Sequence, residues 1–113
     1  MEYDLEKRTL EFGKRIIKLC QALPKNIVNN ELIKQLVKAG TSIGANYREA
    51  NGAESKKDFT HKIRISLKEA KEARYWLDII TEANTEFKKR IGPLLQESLE
   101  LIKIFSSISV KSK

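Results

Sequence analysis

Apolar residues recur along this chain at alternating steps of four and three, the rhythm of a helix with one buried face. Leu5, Thr9, Phe12, Ile16, Leu19 and Leu23 form the first such seam, widened by Ile17 and Cys20, and predict a helix from about Asp4 to Leu23. Pro24 cannot continue it, so residues 24–29 read as a connector, with Asn29 or Asn30 placed to cap the next helix. That second helix is predicted over Glu31 to Ala50 on Leu32, Leu36, Ala39, Ile43, Asn46 and Ala50. Beside it runs a second stripe, Ile33, Val37, Gly40, Gly44 and Tyr47. Glycine inside a helix costs roughly 0.5–1 kcal/mol relative to alanine, so Gly40 and Gly44 call for an offsetting close approach of backbone, either within the bundle or between copies.

Asn51-Gly52 stops the second helix, and Ser55 with Asp58 resembles a capping box opening a third. From Ser55 to Asn84 there is neither Gly nor Pro, and Phe59, Ile63, Ser66, Ala70, Ala73, Leu77, Ile80 and Asn84 make an unbroken core seam. Residues 85–91 are polar and basic, and Gly92-Pro93 punctuates them, so a fourth helix is expected from Pro93 to about Ser109. Its apolar arc is wide, covering Leu94, Leu95, Leu99, Leu101, Ile102, Ile104, Phe105 and Ile108. Such an arc belongs either at the centre of a bundle or in a contact between copies. Four helices on short links predict one all-α domain over residues 1–113, an antiparallel up-down-up-down four-helix bundle.

Composition supports helices and adds a sign. Charged residues are 33% and hydrophobic ones 41% of the 113, and the formal net charge is +7. The excess is spread as +2, +1, +1 and +3 over residues 1–25, 26–53, 54–84 and 85–113, so no basic tail dominates. A basic balance favours nucleic acid or anionic lipid as partner. The single cysteine, Cys20, excludes an internal disulfide and reads as a buried apolar residue in a reducing compartment. With a charged start, MEYDLEKR, and no apolar run near the roughly 20 residues of a membrane span, the chain is expected in the cytoplasm and off the membrane.

Catalytic signals are few. There is one His, no Glu-x-x-His pair and no glycine-rich phosphate loop, so no enzyme activity, metal or cofactor is expected. Binding signals are stronger. Lys57, His61, Arg64, Lys68, Lys71 and Tyr75 fall on one acid-free line of the third helix, where several cations meet a phosphate chain and Tyr75 can stack on a base. Lys14 and Lys18 lie on a mostly basic outer line of the first helix. Both lines have the alternative reading of plain solvated faces. A third line, Lys62, Ile65, Glu69, Glu72, Trp76 and Ile79, mixes acids with apolar residues: either Trp76 and Ile79 extend the core, or the line meets a second subunit.

Taken together, Thr41-Ser42-Ile43-Gly44-Ala45-Asn46, Arg48-Glu49-Ala50, Ser55 with Asp58-Phe59, and Lys68-Glu69-Ala70 through Tyr75-Trp76-Leu77 carry a resemblance. The stretch from Gln35 to Asn84 closely resembles the four-helix-bundle proteins encoded in intervening sequences of bacterial large-subunit ribosomal RNA genes. The same fold family includes the accessory variability proteins of diversity-generating retroelements. Where many relatives have Ile-Ala-Glu-Gly, this chain has Tyr47-Arg48-Glu49-Ala50. The resemblance implies a homo-oligomer, expected to be a pentamer, with no known catalysis. In the retroelement branch it implies nucleic acid and a reverse transcriptase as partners.

Within that signature Gly40, Gly44, Asn46, Tyr47, Arg48, Glu69, Glu72 and Trp76 are expected to serve architecture and assembly. Asn46 is expected to fix helix register by a specific hydrogen bond, and Arg48 to pair with Glu49 and with Glu69 or Glu72 at a subunit contact. The function expected is a non-enzymatic oligomer that binds RNA or DNA largely without sequence specificity, as an accessory protein of a ribosomal RNA intervening sequence or a reverse-transcriptase element. The alternative is an oligomeric protein-interaction scaffold whose charge serves solubility.

Overall fold

The computed structural model describes residues 4–112. Four α-helices fill it: α1 (Leu5–Ala22), α2 (Ile27–Asn51), α3 (Lys56–Ala83) and α4 (Lys88–Lys111), with a 3-10 turn at Thr85–Phe87 and no strand among the described residues. They pack as a bundle of 44 × 24 × 20 Å. In it α2 packs mostly on α3, α3 on α4 and α1 on α2, and a slighter α1–α4 contact closes the circuit. Hence α1 and α3 stand diagonally, as do α2 and α4.

The seams predict the core closely. Leu5, Thr9, Phe12, Ile16, Leu19 and Leu23 are all buried, as are Ile63, Ser66, Ala70, Ala73, Leu77, Ile80 and Asn84. Polar atoms on these seams have partners. Thr9 Oγ1 donates to the Leu5 carbonyl at 2.6 Å, and Ser66 Oγ donates to Ile43 O at 2.9 Å, tying α3 to α2. Across the helix ends, Asn51 Nδ2 donates to Glu6 Oε2 at 2.8 Å, and Thr60 Oγ1 donates to Ser112 O at 2.9 Å. Arg8 meets Glu97 of α4 through Nε and Nη2, at 2.7 and 3.0 Å.

The glycines of α2 are spent inside the bundle. A methyl added at Gly40 would stand 2.9 Å from Ile16 Cγ1, and one at Gly44 the same distance from Thr9 Oγ1. Both contacts are with α1, so the loss of helix propensity is offset by close packing of α1 on α2. The broad apolar arc of α4 is also used within one copy: Leu95, Ile102, Ile104 and Ile108 pack partly buried against the core.

Three boundaries differ from expectation. Helix α2 begins at Ile27 rather than Glu31, because Asn26 is its cap, its side chain accepting from Asn29 N at 2.8 Å. Asn29 is instead buried one turn into the helix. Helix α4 begins at Lys88 rather than Pro93 and runs to Lys111 rather than Ser109. Pro93 sits inside it, which is tolerated because Pro93 and Lys89, whose carbonyl lacks an amide donor there, are both exposed to water. The third helix matches its expected span, with Ser55 as cap, accepting from Asp58 N at 3.0 Å, and Asn84 at the C-terminal end.

Candidate nucleic-acid interface

The outer line of α3 forms because its apolar seam consumes the opposite side of the same helix. Lys57, His61, Arg64, Lys68, Lys71 and Tyr75 are all exposed, Tyr75 at 57%. At a rise of about 1.5 Å per residue, the five basic side chains from Lys57 to Lys71 span about 21 Å of helix. At the start of α3 the surface becomes concave. Lys56, Lys57, His61 and Arg64 line a shallow cavity of about 680 Å3 with Thr60 and Ser112, and among the described residues Asp58 is the one acid in its lining. Lower down, Lys68 has Glu72 at 4.0 Å, an exposed pair one turn apart that leaves the ammonium available to a stronger anion. Tyr75 rests edge-on against Trp76, with centroids 5.0 Å apart, which holds its ring out from the helix.

Lys14 and Lys18 are exposed on α1, with Glu11 3.6 Å from Lys14 and the Lys18 carbonyl accepting from Arg90 at 3.4 Å. Because α1 and α3 are diagonal, these two lysines and the α3 line face different ways. One copy therefore brings together only the six α3 residues.

The signature residues divide in two. Gly40 and Gly44 make the α1–α2 crossing, Tyr47 stacks edge-on with Phe105 at 5.6 Å, and Trp76 packs against the core. Within a single copy, Asn46 and Arg48 are engaged as follows. Asn46 does not set register between helices: its Nδ2 donates to Ser42 O of its own helix at 2.9 Å, because it stands at the edge of the seam and reaches its preceding turn first. Nor does Arg48 pair with Glu49, whose Oε1 lies 2.7 Å from Lys62 Nζ across the α2–α3 face, and the same contact raises the Lys62 pKa. Arg48 faces the α1 side of α2, away from Glu69 and Glu72, and has no ion pair among the described residues. Glu69 is half-buried, and that burial, with Glu72 beside it, raises its carboxyl pKa against the opposing pull of Lys68 and Lys38.

The register device that sequence reasoning missed is a buried amide pair. Asn29 Nδ2 donates to Asn84 Oδ1 at 2.8 Å, and Asn84 Nδ2 returns a bond to Asn29 Oδ1 at 2.9 Å. The signal was present: stepping back from Leu36 through Leu32 lands on Asn29, which extends the α2 seam by one turn. Cys20 is buried as expected, and burial lifts its thiol to about 11 despite Lys25 nearby. Among the described residues no cluster of His, Cys, Asp or Glu is placed to hold a metal ion, and no helix is long and apolar enough to cross a membrane.

Comparison with known proteins places this arrangement. No curated protein matches the chain at a significant level. Among solved structures, a protein of unknown function from the S23 ribosomal protein family of Bacteroides thetaiotaomicron VPI-5482 is similar at 34% identity and a TM-score of 0.82, over 92% of this chain and 96% of that one. The family model described as 23S rRNA-intervening sequence protein matches residues 1–107, almost the whole chain. The chain therefore belongs to the 23S rRNA-intervening sequence protein family.

Proposed function

We propose that this protein is a non-enzymatic, cytoplasmic homo-oligomer that binds RNA or DNA largely without sequence specificity. Its subunit is read as an antiparallel up-down-up-down bundle, and the family resemblance favours a pentamer. The observation that carries the binding reading is the exposed cationic line of α3, which ends in a basic concavity and has Tyr75 beside it. Cations spaced about one turn apart neutralise successive phosphates, and contact with the phosphate chain positions a ligand without reading its bases. Assembly strengthens the effect, because each copy adds a formal charge of +7 to one particle. The link of the family to a ribosomal RNA intervening sequence makes RNA the first ligand to test.

The test is fluorescence anisotropy with unrelated RNA and DNA oligonucleotides over a salt series. The protein is expected to bind at low salt and release steeply as salt rises. Arg64, Lys68 and Lys71 all changed to Glu should weaken binding and flatten the log–log salt slope by about two units or more, at roughly 0.7–0.9 per lost phosphate contact. An unchanged slope removes this face from the account. No binding even at low salt favours a protein-interaction scaffold instead.

A further inference from the structure

The basic concavity at the start of α3 lies where the first turns of that helix meet the last turn of α4. Its volume of about 680 Å3 is enough to take in a phosphate group and the sugar that carries it. Lys56, Lys57, His61 and Arg64 reach its lining from α3, and all four are exposed. Lys56 stands off the cationic line, so the cavity gathers a cation that the line does not. The oxygens that could repel an anion there are offset. The Ser112 carbonyl already accepts from Thr60 Oγ1 at 2.9 Å, and the Asp58 carboxylate lies within electrostatic reach of the Lys62 ammonium one turn on.

The cationic line leaves this cavity in one direction only. From Arg64 it continues through Lys68 and Lys71 toward the middle of α3. In the other direction the helix ends at its Ser55 cap, and residues 49–55 hold no Lys or Arg but carry Glu49 and Glu54, both exposed. A strand laid along the line therefore finds cations on one side of the cavity and carboxylates on the other. An internal phosphodiester carries a single charge and its chain must continue both ways. A terminal phosphomonoester carries about −1.5 to −2 near pH 7, and its chain leaves on one side.

We infer that this cavity binds the terminal phosphate of a nucleic-acid strand, with the nucleotides behind it lying along Arg64, Lys68 and Lys71. This rests on the nucleic-acid reading above and deepens it by naming the part of the strand that is recognised. Arg64, whose planar guanidinium can take two phosphate oxygens at once, stands at the junction of cavity and line, about 12 Å of helix from Lys56. Lys56 and Lys57 match the additional negative charge of the monoester, and His61 offers a ring N–H in either charge state. The result is a preference for strand ends over continuous strand that reads no base.

The test measures binding of the full chain, by fluorescence anisotropy at low salt, to one internally labelled RNA oligonucleotide in three forms: with a 5′-phosphate, with a 3′-phosphate and with hydroxyls at both ends. At least one phosphorylated form is expected to bind about threefold to thirtyfold more tightly than the hydroxyl form, the gain of two exposed charge pairs. The end that gives the gain names the polarity of the strand. Lys56→Gln with Lys57→Gln should bring the ratio close to unity. Both residues stand in the first turn of α3, where a cation opposes the helix dipole, so the fold should not suffer, and circular dichroism verifies this. Lys68→Gln with Lys71→Gln should weaken all three forms alike and keep the ratio. Equal binding of the three forms by the unaltered chain, or a ratio that survives the loss of Lys56 and Lys57, overturns end recognition in this cavity and leaves the cationic line standing. No binding of any form at low salt overturns both readings. A nucleoside monophosphate that displaces the labelled strand as well as the phosphorylated oligonucleotide does would assign the cavity to a small phosphate ester and overturn the strand end as its ligand.

Discussion

Changing Gly40 to Ala tests whether the α1–α2 crossing is set by steric contact or merely tolerates glycine. The new methyl would lie 2.9 Å from Ile16 Cγ1, 3.1 Å from Cγ2 and 3.3 Å from Cβ. Ile16 is fully buried and β-branched in a helix, so one rotamer dominates and it cannot swing aside. Alanine gains about 0.5–1 kcal/mol of helix propensity, while overpacking a filled core costs about 1–3 kcal/mol. A net loss of about 0–2.5 kcal/mol is expected, against a gain at an uncrowded glycine. Two other glycines calibrate the gain: a methyl at Gly13 meets nothing nearer than Gly40 O at 3.7 Å, and one at Gly92 meets nothing within 4 Å. Gly13→Ala and Gly92→Ala should therefore each stabilise by about 0.5–1 kcal/mol. The assay is urea unfolding followed by circular dichroism, at one protein concentration so that assembly contributes equally. Ile16→Ala completes a cycle. It removes the atoms at 2.9 and 3.1 Å, so its cost, about 2–5 kcal/mol in the parent, should be lower by about 1–2 kcal/mol beside Gly40→Ala. If Gly40→Ala stabilises as Gly13→Ala does, or if the cycle is additive, the close-contact explanation of this glycine is wrong.

Three further outcomes are expected. Asn29→Ala or Asn84→Ala strands a buried amide and should cost about 1–3 kcal/mol, and the double change should cost clearly less than the sum of the two; additive losses would mean the pair is not a unit. Pro93→Ala restores an amide to the Lys89 carbonyl and should raise unfolding free energy by about 1–3 kcal/mol, whereas a fall would mean that proline acts chiefly by stiffening the unfolded chain. The Cys20 thiol keeps its proton to about pH 11 when folded, against a usual value of 9.0. The unfolded chain alone deprotonates between those values, so stability is full below about pH 9 and falls by at most about 1.4 kcal/mol per pH unit above it. That loss should vanish in Cys20→Ala, and the native thiol should resist a thiol reagent at pH 8 until the chain is unfolded.

What the amino-acid order determined by itself was the set of buried faces of α1 and α3. An apolar seam without Gly or Pro admits one helical phase, and the largest available gain in burial selects it. The cationic line of α3 followed by the same logic, because a helix committed on one side must present the other to water. The start of α2 was not readable this way. Ile27 is 86% exposed and Val28 is also exposed, so the first turn breaks the pattern, and the cap expected at Asn29 or Asn30 falls instead to Asn26. The start of α4 was hidden by Gly92-Pro93, which reads as punctuation unless one knows that Lys89 and Pro93 both lie on the exposed side of the helix.

Only the tertiary structure decided how faces from different helices meet. Helical period says which residues share a side, but not which partner lies opposite, since that depends on the relative height and rotation of two rods. Thus Arg48 and Glu49, neighbours in sequence, point to different faces, and Lys62 rather than Arg48 takes the carboxylate. Asn29 and Asn84, which local pattern can place only singly, become a mutual pair across 55 residues. Gly40 and Gly44 announced a close approach in the sequence, and Ile16 and Thr9 of α1 supplied it in space.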